Sequence, residues 1–545
     1  MIGIEIKNRF LDLGDVKITL KYDNPIFLDN LFVKSFSYNF SIPKTDLNIS
    51  ILDNVNSLNS TNSEAKYGAK VTFNGSLLME TILVVVNNTN SKIIINFQSK
   101  DLNLFKTLSG LKLPDVQLDE FFVYDETEVA TNKQVKWGDH LDLYVQDLDN
   151  GVNRKTHHFP PMRCNDIYNG SNLTFVGNIN YYDWNSPAVG GFYPSVYLQN
   201  YNPAVDPDFK YTFSPCPLYI YVVEKVLNEQ GFFLRKNDFI ESEVVQNMII
   251  YSANIMENLV VENVKRLNVY QGTYKLQDFL PNISQNDLLE VFYKMFKCIV
   301  AIENNEVSFT PINEVLTGPI EDITKYCSPA FNKENIDTGK TVFTYSVLTD
   351  EKYYREQINE FAPVQIGDNT STKETPVESN IARPLANTSE NYGGGSYENL
   401  AQLALDKIVG ASTFLNKPEK IELLLLGLYR GYYDKYPLFT NLTTANTPVT
   451  GTGVNVGQES ILWGGDSGTV KNHWEEFVEY DNNSNTIEKT LYLPLHVFKN
   501  MSTFKDPIKS FYHENGKVQG ILSTLTVTLT NKGISATKAE FKIRK

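Results

Sequence analysis

Residues 518–530, VQGILSTLTVTLT, decide the fold class of this chain. Leu525, Val527 and Leu529 alternate with threonines at positions 524, 526, 528 and 530. A period of two is typical of a strand with one buried and one polar face. A turn at Asn531-Lys532-Gly533 then leads into ISATKAEFKIRK, so the end of the chain is predicted to be a β-hairpin.

The same pattern fills the N-terminal region. In SFSYNFSIP, residues 35–43, aromatic and aliphatic side chains alternate with serine and asparagine. AKVTF and SLLMETILVVV flank Asn74-Gly75, which favours a two-residue type I′ hairpin turn. Residues 1–105 are therefore predicted to form a small β-barrel-like domain.

Helical signals lie in the middle of the chain. PLYIYVVEKVLNEQG, residues 217–231, has an apolar helical face and ends at a glycine. Further on, Ser284 is a good N-cap, and Asp287 in the first turn favours the helix dipole. An α/β domain over 216–315 is predicted.

Two segments are harder to classify from local patterns. Residues 106–215 are rich in Tyr, Pro and Gly and are interpreted as a loop-rich insertion. Residues 363–396 are polar and end in three glycines, which predicts a loop. Ser396 is then expected to cap a helix over YENLAQLALDKIVG, and KIELLLLGLYRGYY, residues 420–433, to form a buried strand.

The predicted fold class is mainly β with an α+β part. Two small β-barrel-like domains, residues 1–105 and 316–545, flank the α/β domain over 216–315, and the insertion lies at 106–215. The polar loop at 363–396 and further helices belong to the last region. A length of 545 residues is enough for several such domains.

Composition and charge exclude some classes of function. The net charge is −15, which argues against a nucleic-acid-binding protein because phosphate binding needs a basic face. A negative wall would instead let DNA pass without sticking. No apolar run is long enough for a membrane span, and the first residues, MIGIEIKNRFLDLGD, lack the pattern of a signal peptide.

No motif for a cofactor or a metal ion stands out. The four cysteines are far apart in sequence and are interpreted as unpaired thiols in a reducing compartment. Among the six histidines only His157 and His158 are adjacent, and the chain has neither a phosphate-binding glycine motif nor His-Glu-x-x-His. We expect no catalytic residue, no cofactor and no metal site.

Residues 463–468, WGGDSG, contain the Gly-Asp-Ser-Gly string of trypsin-like proteases. A serine nucleophile needs a histidine base and an orienting carboxylate. The upstream histidine segments, GDHLDL and KTHHFPP, do not match that family, and Thr469 stands where the family has glycine. Ser467 is therefore interpreted as part of a glycine-rich turn.

Aromatic residues mark two candidate interfaces. Tyr181, Tyr182 and Trp184 cluster in the insertion, and Trp463 and Trp474 flank the glycine-rich turn. Large aromatic rings are frequent at the energetic centres of protein interfaces. All five residues are predicted to contribute to subunit contacts.

Three segments carry a resemblance to a known family. SFSYNFSIPKTDLN with AKVTFNGSLLMETILVVV, LPNISQNDLLEVFYKMFKCIVAIENNEVSFTPI, and GILSTLTVTLTNKGISATKAEFKIRK occur in that order. Together they resemble the tail hub proteins of tailed phages that infect Bacteroidetes, crAss-like phages included. The insertion at 106–215 has no counterpart in the resemblance.

The resemblance implies a structural virion protein, made in the cytoplasm of a bacterial host and located in the phage tail. It implies assembly with itself in a closed ring, a trimer or a hexamer, that joins tail tube or barrel proteins to spike or tip proteins. DNA would pass through the ring without specific binding. Two other functions stay open: a receptor- or glycan-binding tail protein, and a cell-wall hydrolase of the tail tip.

Overall fold

The computed structural model describes most of the chain. The residues described are 2–27, 36–53, 65–98, 100–125, 127–128, 136, 139–141, 143–144, 156–164, 178–180, 182–183, 191–192, 214–251, 257–262, 265–270, 272–303, 305–334, 339–345, 360–368, 371, 374–379, 382–388, 402–405, 423–433, 436–446, 453–504, 506–513, 516–531 and 533–544.

Strands dominate these residues, and short helices lie between them. The α-helices are Asp46–Ile51, Lys100–Gly110, Tyr219–Glu229, Glu243–Gln246, Gln285–Phe296, Ile312–Leu316, Glu475–Asn482 and Leu495–Ser502. A π-helical turn covers Val470–Trp474, and 3-10 turns cover Pro25–Phe27, Leu113–Asp115, Leu276–Phe279 and Thr324–Tyr326.

One sheet joins the two ends of the chain, and we call it the terminal sheet. Its fifteen strands are Ile2–Ile6, Arg9–Phe10, Ile18–Asp23, Phe36–Ser37, Phe40–Pro43, Lys66–Phe73, Ser76–Asn88, Lys92–Gln98, Glu321–Asp322, Cys327–Glu334, Ser484–Leu491, Ile508–His513, Gly516–Thr530, Gly533–Ile534 and Thr537–Arg544. The sheet curls into a half-barrel.

The junction between the two ends lies in the middle of this sheet. Ile18–Asp23 pairs antiparallel with Gly516–Thr530, from Ile18 opposite Leu529 to Asp23 opposite Thr524. On the inner face, Leu20 and Val527 are buried in one shared hydrophobic core. The N-terminal and C-terminal regions therefore share a sheet and a core instead of standing apart on either side of the α/β region.

A helix covers the inner face of the terminal sheet. Leu495–Ser502 places Phe498 fully inside the shared core, where its ring meets Tyr22 edge-on at 5.8 Å between centroids. Burial of such apolar surface stabilises a sheet by roughly 25 cal/mol per Å². The helix thus fastens C-terminal residues onto N-terminal strands.

A second core lies in the part of the chain that we call the central body. It packs the helices Tyr219–Glu229 and Gln285–Phe296 against the buried strand Leu424–Tyr433. The predicted N-cap at Ser284 is present and is part of a capping box, because the Ser284 side chain accepts from Asp287 N and the Asp287 side chain accepts from Ser284 N. The helices and the strand predicted here are confirmed.

The remaining strands form smaller sheets and hairpins. They are Glu120–Phe122, His157–His158, Met162–Cys164, Asn178–Ile179, Tyr182–Asp183, Gly191–Phe192, Cys216–Pro217, Phe233–Leu234, Met248–Tyr251, Glu257–Glu262, Lys265–Tyr270, Thr273–Lys275, Cys298–Glu303, Glu306–Pro311, Lys340–Tyr345, Val364–Gly367, Glu374–Ser379, Ala382–Pro384, Ala386–Thr388, Gln402–Leu405, Leu424–Tyr433, Tyr436–Phe439, Thr444–Asn446 and Gly453–Asn455.

The predicted fold class, mainly β with an α+β part, is confirmed. The helix predicted after Ser396 is wrong where the chain is described, because Gln402–Leu405 is a strand between Met162–Cys164 and Ala386–Thr388. Leu403 is fully buried there, so tertiary pairing overrides a helical local pattern.

The segment 363–396 also differs from the predicted polar loop. Its described parts contain strands, and Val364–Gly367 and Glu374–Ser379 pair with opposite edges of Lys340–Tyr345. Polar side chains are compatible with strands whose outer face meets solvent.

The domain bounds at 105, 215 and 315 stay a prediction. No helix in the described parts of the chain is long and apolar enough to cross a membrane.

Candidate functional site: a polar sheet face and the Trp463 loop

The outer face of the terminal sheet is polar at the junction of the two chain ends. Thr524, Thr526 and Thr528 are half-exposed, while Leu525 and Val527 between them are fully buried. Successive side chains of a strand point to opposite faces, so one strand supplies both the core and the polar surface. We call this outer surface the threonine face.

Neighbouring strands extend the threonine face with threonine and charged residues. Thr526 lies opposite Lys21 on one side and Lys538 on the other. Thr19 and Thr528 hold their hydroxyl oxygens 3.0 Å apart. The residues that form the face are Thr19, Lys21, Asp23, Glu488, Thr490, Thr524, Thr526, Thr528, Lys538 and Glu540.

Both lysines of the threonine face are paired with carboxylates within it. Lys21 Nζ lies 3.0 Å from Asp23 Oδ1, and Lys538 Nζ lies 3.4 Å from Glu488 Oε1. Solvent-exposed pairs of this kind stabilise a fold by less than about 1 kcal/mol. The ion pairs mainly determine the electrostatic character of the threonine face, which carries hydrogen-bonding groups and nearly equal numbers of positive and negative charges.

The glycine-rich turn at 463–468 is a compact loop held by backbone hydrogen bonds. Ser460 N donates to Ser467 O at 2.8 Å, and Thr469 N donates to Leu462 O at 2.8 Å. Gly465 has a φ of +85°, which favours glycine. At Gly468 a Cβ atom would lie 2.3 Å from Gly464 O, so this position has no room for a side chain.

The two tryptophans beside this loop lie in the interior. Trp463 is 1% exposed and stacks on Tyr345 with 4.4 Å between ring centroids. Trp474 is 3% exposed, and both indoles meet Phe343 edge-on. The indole rings therefore pack within the chain, and the predicted contribution of Trp463 and Trp474 to subunit contacts stays a prediction.

The other predicted interface residues belong to the insertion. Tyr181 and Trp184 lie outside the described residues, as does the side chain of Tyr182, whose backbone is in the strand Tyr182–Asp183. Their proposed role in subunit contacts stays a prediction.

Ser467 has a hydroxyl neighbour in the described part of the chain. Its Oγ lies 3.4 Å from Thr443 Oγ1. The histidine nearest to it in sequence, His473, is directed elsewhere: its Nε2 lies 3.5 Å from Glu459 Oε2 and its ring packs against Phe239 and Phe296. The described residues do not bring Ser467, a histidine and a carboxylate into a hydrogen-bonded triad.

Glu459 sits in a small charged network beside the loop. The His473 imidazole, with a smaller contribution from Arg430, holds the pKa of Glu459 below its ordinary value, although burial opposes this. Arg430 is itself buried and donates from Nη2 to Glu459 O at 2.5 Å. This network ties the segment before Trp463 to the strand Leu424–Tyr433.

Sequence reasoning missed a buried polar cluster in the central body. His157 Nε2 lies 2.5 Å from Tyr144 Oη and 2.9 Å from Tyr274 Oη, and His140 Nε2 lies 3.0 Å from the same Tyr274 oxygen. His158, the next residue, stacks on Tyr429 instead. Adjacent residues of a strand face opposite sides, which is the one sequence signal that separates these histidines.

The described residues contain no group of three or more His, Cys, Asp or Glu side chains that could hold a metal ion. Cys216 and Cys298 are fully buried free thiols, and burial raises the pKa of both well above its ordinary value. Both thiols face the hydrophobic core of the central body, where they pack as small apolar groups.

Comparison with known proteins gives matches among solved structures. No protein family model and no curated protein matches the chain. A 43 kDa tail protein of prophage MuSo2 from Shewanella oneidensis aligns with 8% identity and a TM-score of 0.34, covering 100% of this chain and 96% of that one.

Two further structures align in the same way. A tail protein from Neisseria meningitidis MC58 has 7% identity and a TM-score of 0.30, with coverage of 100% and 96%. Prophage tail protein gp18 from Listeria monocytogenes EGD-e has 9% identity and a TM-score of 0.33, with coverage of 99% and 94%.

Proposed function

We propose that this chain is a structural subunit of a phage tail, a tail hub that closes into a ring around the channel and joins the tail tube or barrel to distal tail components during DNA delivery. The observation that carries the proposal is the threonine face of the terminal sheet. In the proposed ring this face lines the channel.

The chemistry of the threonine face suits a wall along which DNA moves. DNA is held by proteins mainly through lysine and arginine on phosphate. On this face, Lys21 and Lys538 are each paired with a carboxylate. Because the charges of the face are nearly balanced, it offers DNA no net basic surface, and the net charge of −15 for the whole chain acts in the same direction.

The position of the resembling segments gives further support. The first segment, beginning at Ser35, and the last, beginning at Gly520, are those that resemble the opening barrel and the final hairpin of tail hub proteins. Strands from both segments belong to the terminal sheet. A role in assembly would use the surfaces of this sheet. Such a role needs no catalytic residue.

The proposed partners are further copies of this chain and other tail proteins. Closed rings arise when a subunit presents two different surfaces that meet after a fixed rotation. We propose a trimer or a hexamer, bound to tail tube or barrel ring proteins on one side and to spike or tip proteins on the other. The proposed location is the virion, after synthesis in the cytoplasm of a bacterial host.

The test is the assembly state of the purified full-length chain, by native mass spectrometry and electron microscopy. We expect closed rings of three or six copies with the threonine face towards the central opening. A chain that stays monomeric up to high micromolar concentration, alone and with tail tube proteins of the same phage, would contradict the proposal. Lysis of purified cell wall by the chain would contradict a purely structural role.

A further inference from the structure

A cavity lies beside the Trp463 loop, outside the terminal sheet. Its volume is about 300 Å³, and it is lined by Glu360, Leu442, Thr443, Thr444, Ser460, Leu462, Gly464, Gly465 and Ser467. This volume is at the lower limit for pockets that hold small organic ligands. It is much larger than a bare metal ion needs, since one water occupies about 30 Å³ in the liquid.

The polar side chains of the cavity are a carboxyl group and hydroxyl groups. Glu360 supplies the carboxyl group, and Thr443 and Ser467 supply hydroxyls whose oxygens lie 3.4 Å apart. A contact of this length is weak, so either hydroxyl can turn towards a ligand. Leu442 and Leu462 provide an apolar wall beside these groups.

The Glu360 side chain is held in place by a chain of hydrogen bonds. Asn387 Nδ2 donates to Glu360 Oε2 at 3.1 Å. The Asn387 oxygen in turn accepts from Thr440 Oγ1 at 2.9 Å and from Asn441 N at 2.8 Å. A carboxyl group fixed by supporting hydrogen bonds is preorganised for binding, so less entropy is lost when a ligand arrives.

The loop on the other side of the cavity is equally constrained. Its backbone is fixed by the Ser460–Ser467 and Leu462–Thr469 hydrogen bonds. Trp463 N donates to Tyr345 Oη at 2.7 Å, which anchors the loop to the core. The Ser467 hydroxyl is thus presented from a rigid support.

The chemistry of the cavity favours a neutral ligand with several hydroxyl groups. The described lining residues include no lysine, arginine or histidine, so they offer an anion no cationic partner. A carboxylate accepts two hydrogen bonds from neighbouring hydroxyls of one ligand, while serine and threonine hydroxyls donate and accept. We propose that this cavity binds one neutral sugar ring, with Glu360, Thr443 and Ser467 as its polar contacts. The site does not depend on the proposed role in the tail.

The test is saturation-transfer NMR on the full-length chain with glucose, galactose and N-acetylglucosamine as separate probes. We expect at least one sugar to bind with a millimolar dissociation constant. Glu360→Gln should weaken that binding at least fivefold, and Ser467→Ala two- to fivefold, because each removes hydrogen-bonding capacity at the ligand. Thr444→Phe, at an exposed position of the lining, should block entry and abolish binding.

Glu290→Gln is the matched control, since Glu290 is a half-buried glutamate that also accepts from an asparagine amide, Asn286 Nδ2 at 3.1 Å, and does not line the cavity. It should leave sugar binding unchanged. Ser467→Ala removes one oxygen atom and keeps the loop backbone, so it tests the site even if the other variants unfold. Absence of saturation transfer from all three sugars would overturn the proposal. So would unchanged binding in both Glu360→Gln and Ser467→Ala, or calcium binding at this cavity without sugar binding.

Discussion

The terminal sheet and the central body are built in opposite ways. In the terminal sheet, Thr19 and Thr528 are in contact although 509 positions separate them in sequence. In the central body, the helix Gln285–Phe296 begins with a capping box that joins residues three positions apart. Local interactions can form early at little entropic cost, whereas distant pairing must first close a long loop. The comparison suggests that formation of the terminal sheet requires both chain ends, whereas formation of the central body does not.

Removal of residues 514–545 is expected to produce the largest difference in stability between the terminal sheet and the central body. It takes away the strand partner of Ile18–Asp23 and part of the shared core. Backbone amides of Ile18–Asp23 should then lose at least 100-fold of their protection from hydrogen exchange, and those of Gln285–Phe296 less than tenfold. Mass spectrometry of exchanged peptides measures both. Equal loss in the two regions would show one cooperative unit in place of two.

Val527→Asp tests the two faces of the terminal sheet at neighbouring positions. Val527 is 0% exposed, so the new carboxylate would be buried without a partner, at a cost of about 3–5 kcal/mol. Thr526→Asp is the matched control, because that side chain lies on the threonine face between Lys21 and Lys538. Its effect should stay within about 0.5 kcal/mol. Urea denaturation measures both, and similar losses would mean that the threonine face is covered.

Gly468→Ala tests the Trp463 loop, whose tryptophan is buried in a third hydrophobic core, separate from those of the terminal sheet and the central body. A Cβ at Gly468 would overlap Gly464 O, so the loop must shift, at a cost of about 1–3 kcal/mol. Gly464→Ala is the control, since its Cβ would meet Val364 Cγ2 at an ordinary 3.6 Å. Thermal unfolding of the two variants should differ by several degrees. Equal melting temperatures would contradict the tight loop.

Ser284→Ala should have a smaller effect that is confined to the central body. It removes the side-chain oxygen that accepts from Asp287 N, and loss of such an N-cap costs about 1 kcal/mol. Hydrogen exchange in Gln285–Phe296 should accelerate while that of Ile18–Asp23 stays unchanged. Acceleration in both segments would show that the two regions are coupled.

The smallest expected effect is a pH dependence from Glu459. The pKa of Glu459 is lower in the folded chain than in the unfolded chain. Ionisation of Glu459 therefore stabilises the folded state. The stabilisation is fully present above the ordinary value of 4.5 and is lost as the pH falls through the lowered value. In His473→Phe, the loss of stability between pH 5 and about 3 should be shallower than in the unchanged chain. The same slope in both would exclude this pair as its source.

Much of the local structure could be predicted from short patterns. The Asn74-Gly75 turn has both residues at positive φ, as a type I′ turn requires. The helix after Ser284 and the alternation around Val527 are also present. The segment from 402 to 405 was misassigned, because its strand depends on two partners that are distant in sequence.

The candidate sites were less accessible to sequence reasoning. The threonines of the polar face could be recognised, but not the neighbours Lys21 and Lys538, because register between distant strands has no local signature. Trp463 and Trp474 looked like interface residues from their size, and the core that buries them comes from several segments. The Glu360 cavity likewise joins segments about 100 residues apart.

By itself the sequence determined the alternating strands at Phe40–Pro43 and Gly516–Thr530, the turn at Asn74-Gly75, the cap at Ser284, and the excess of negative charge. Those properties follow from residues within a few positions of one another. The tertiary structure alone decided that the two ends form a single sheet, that Trp463 and Trp474 are buried, and that Glu360 and Ser467 line one cavity. Such contacts are selected by burial of apolar surface across the whole chain, and a local pattern is compatible with many of them.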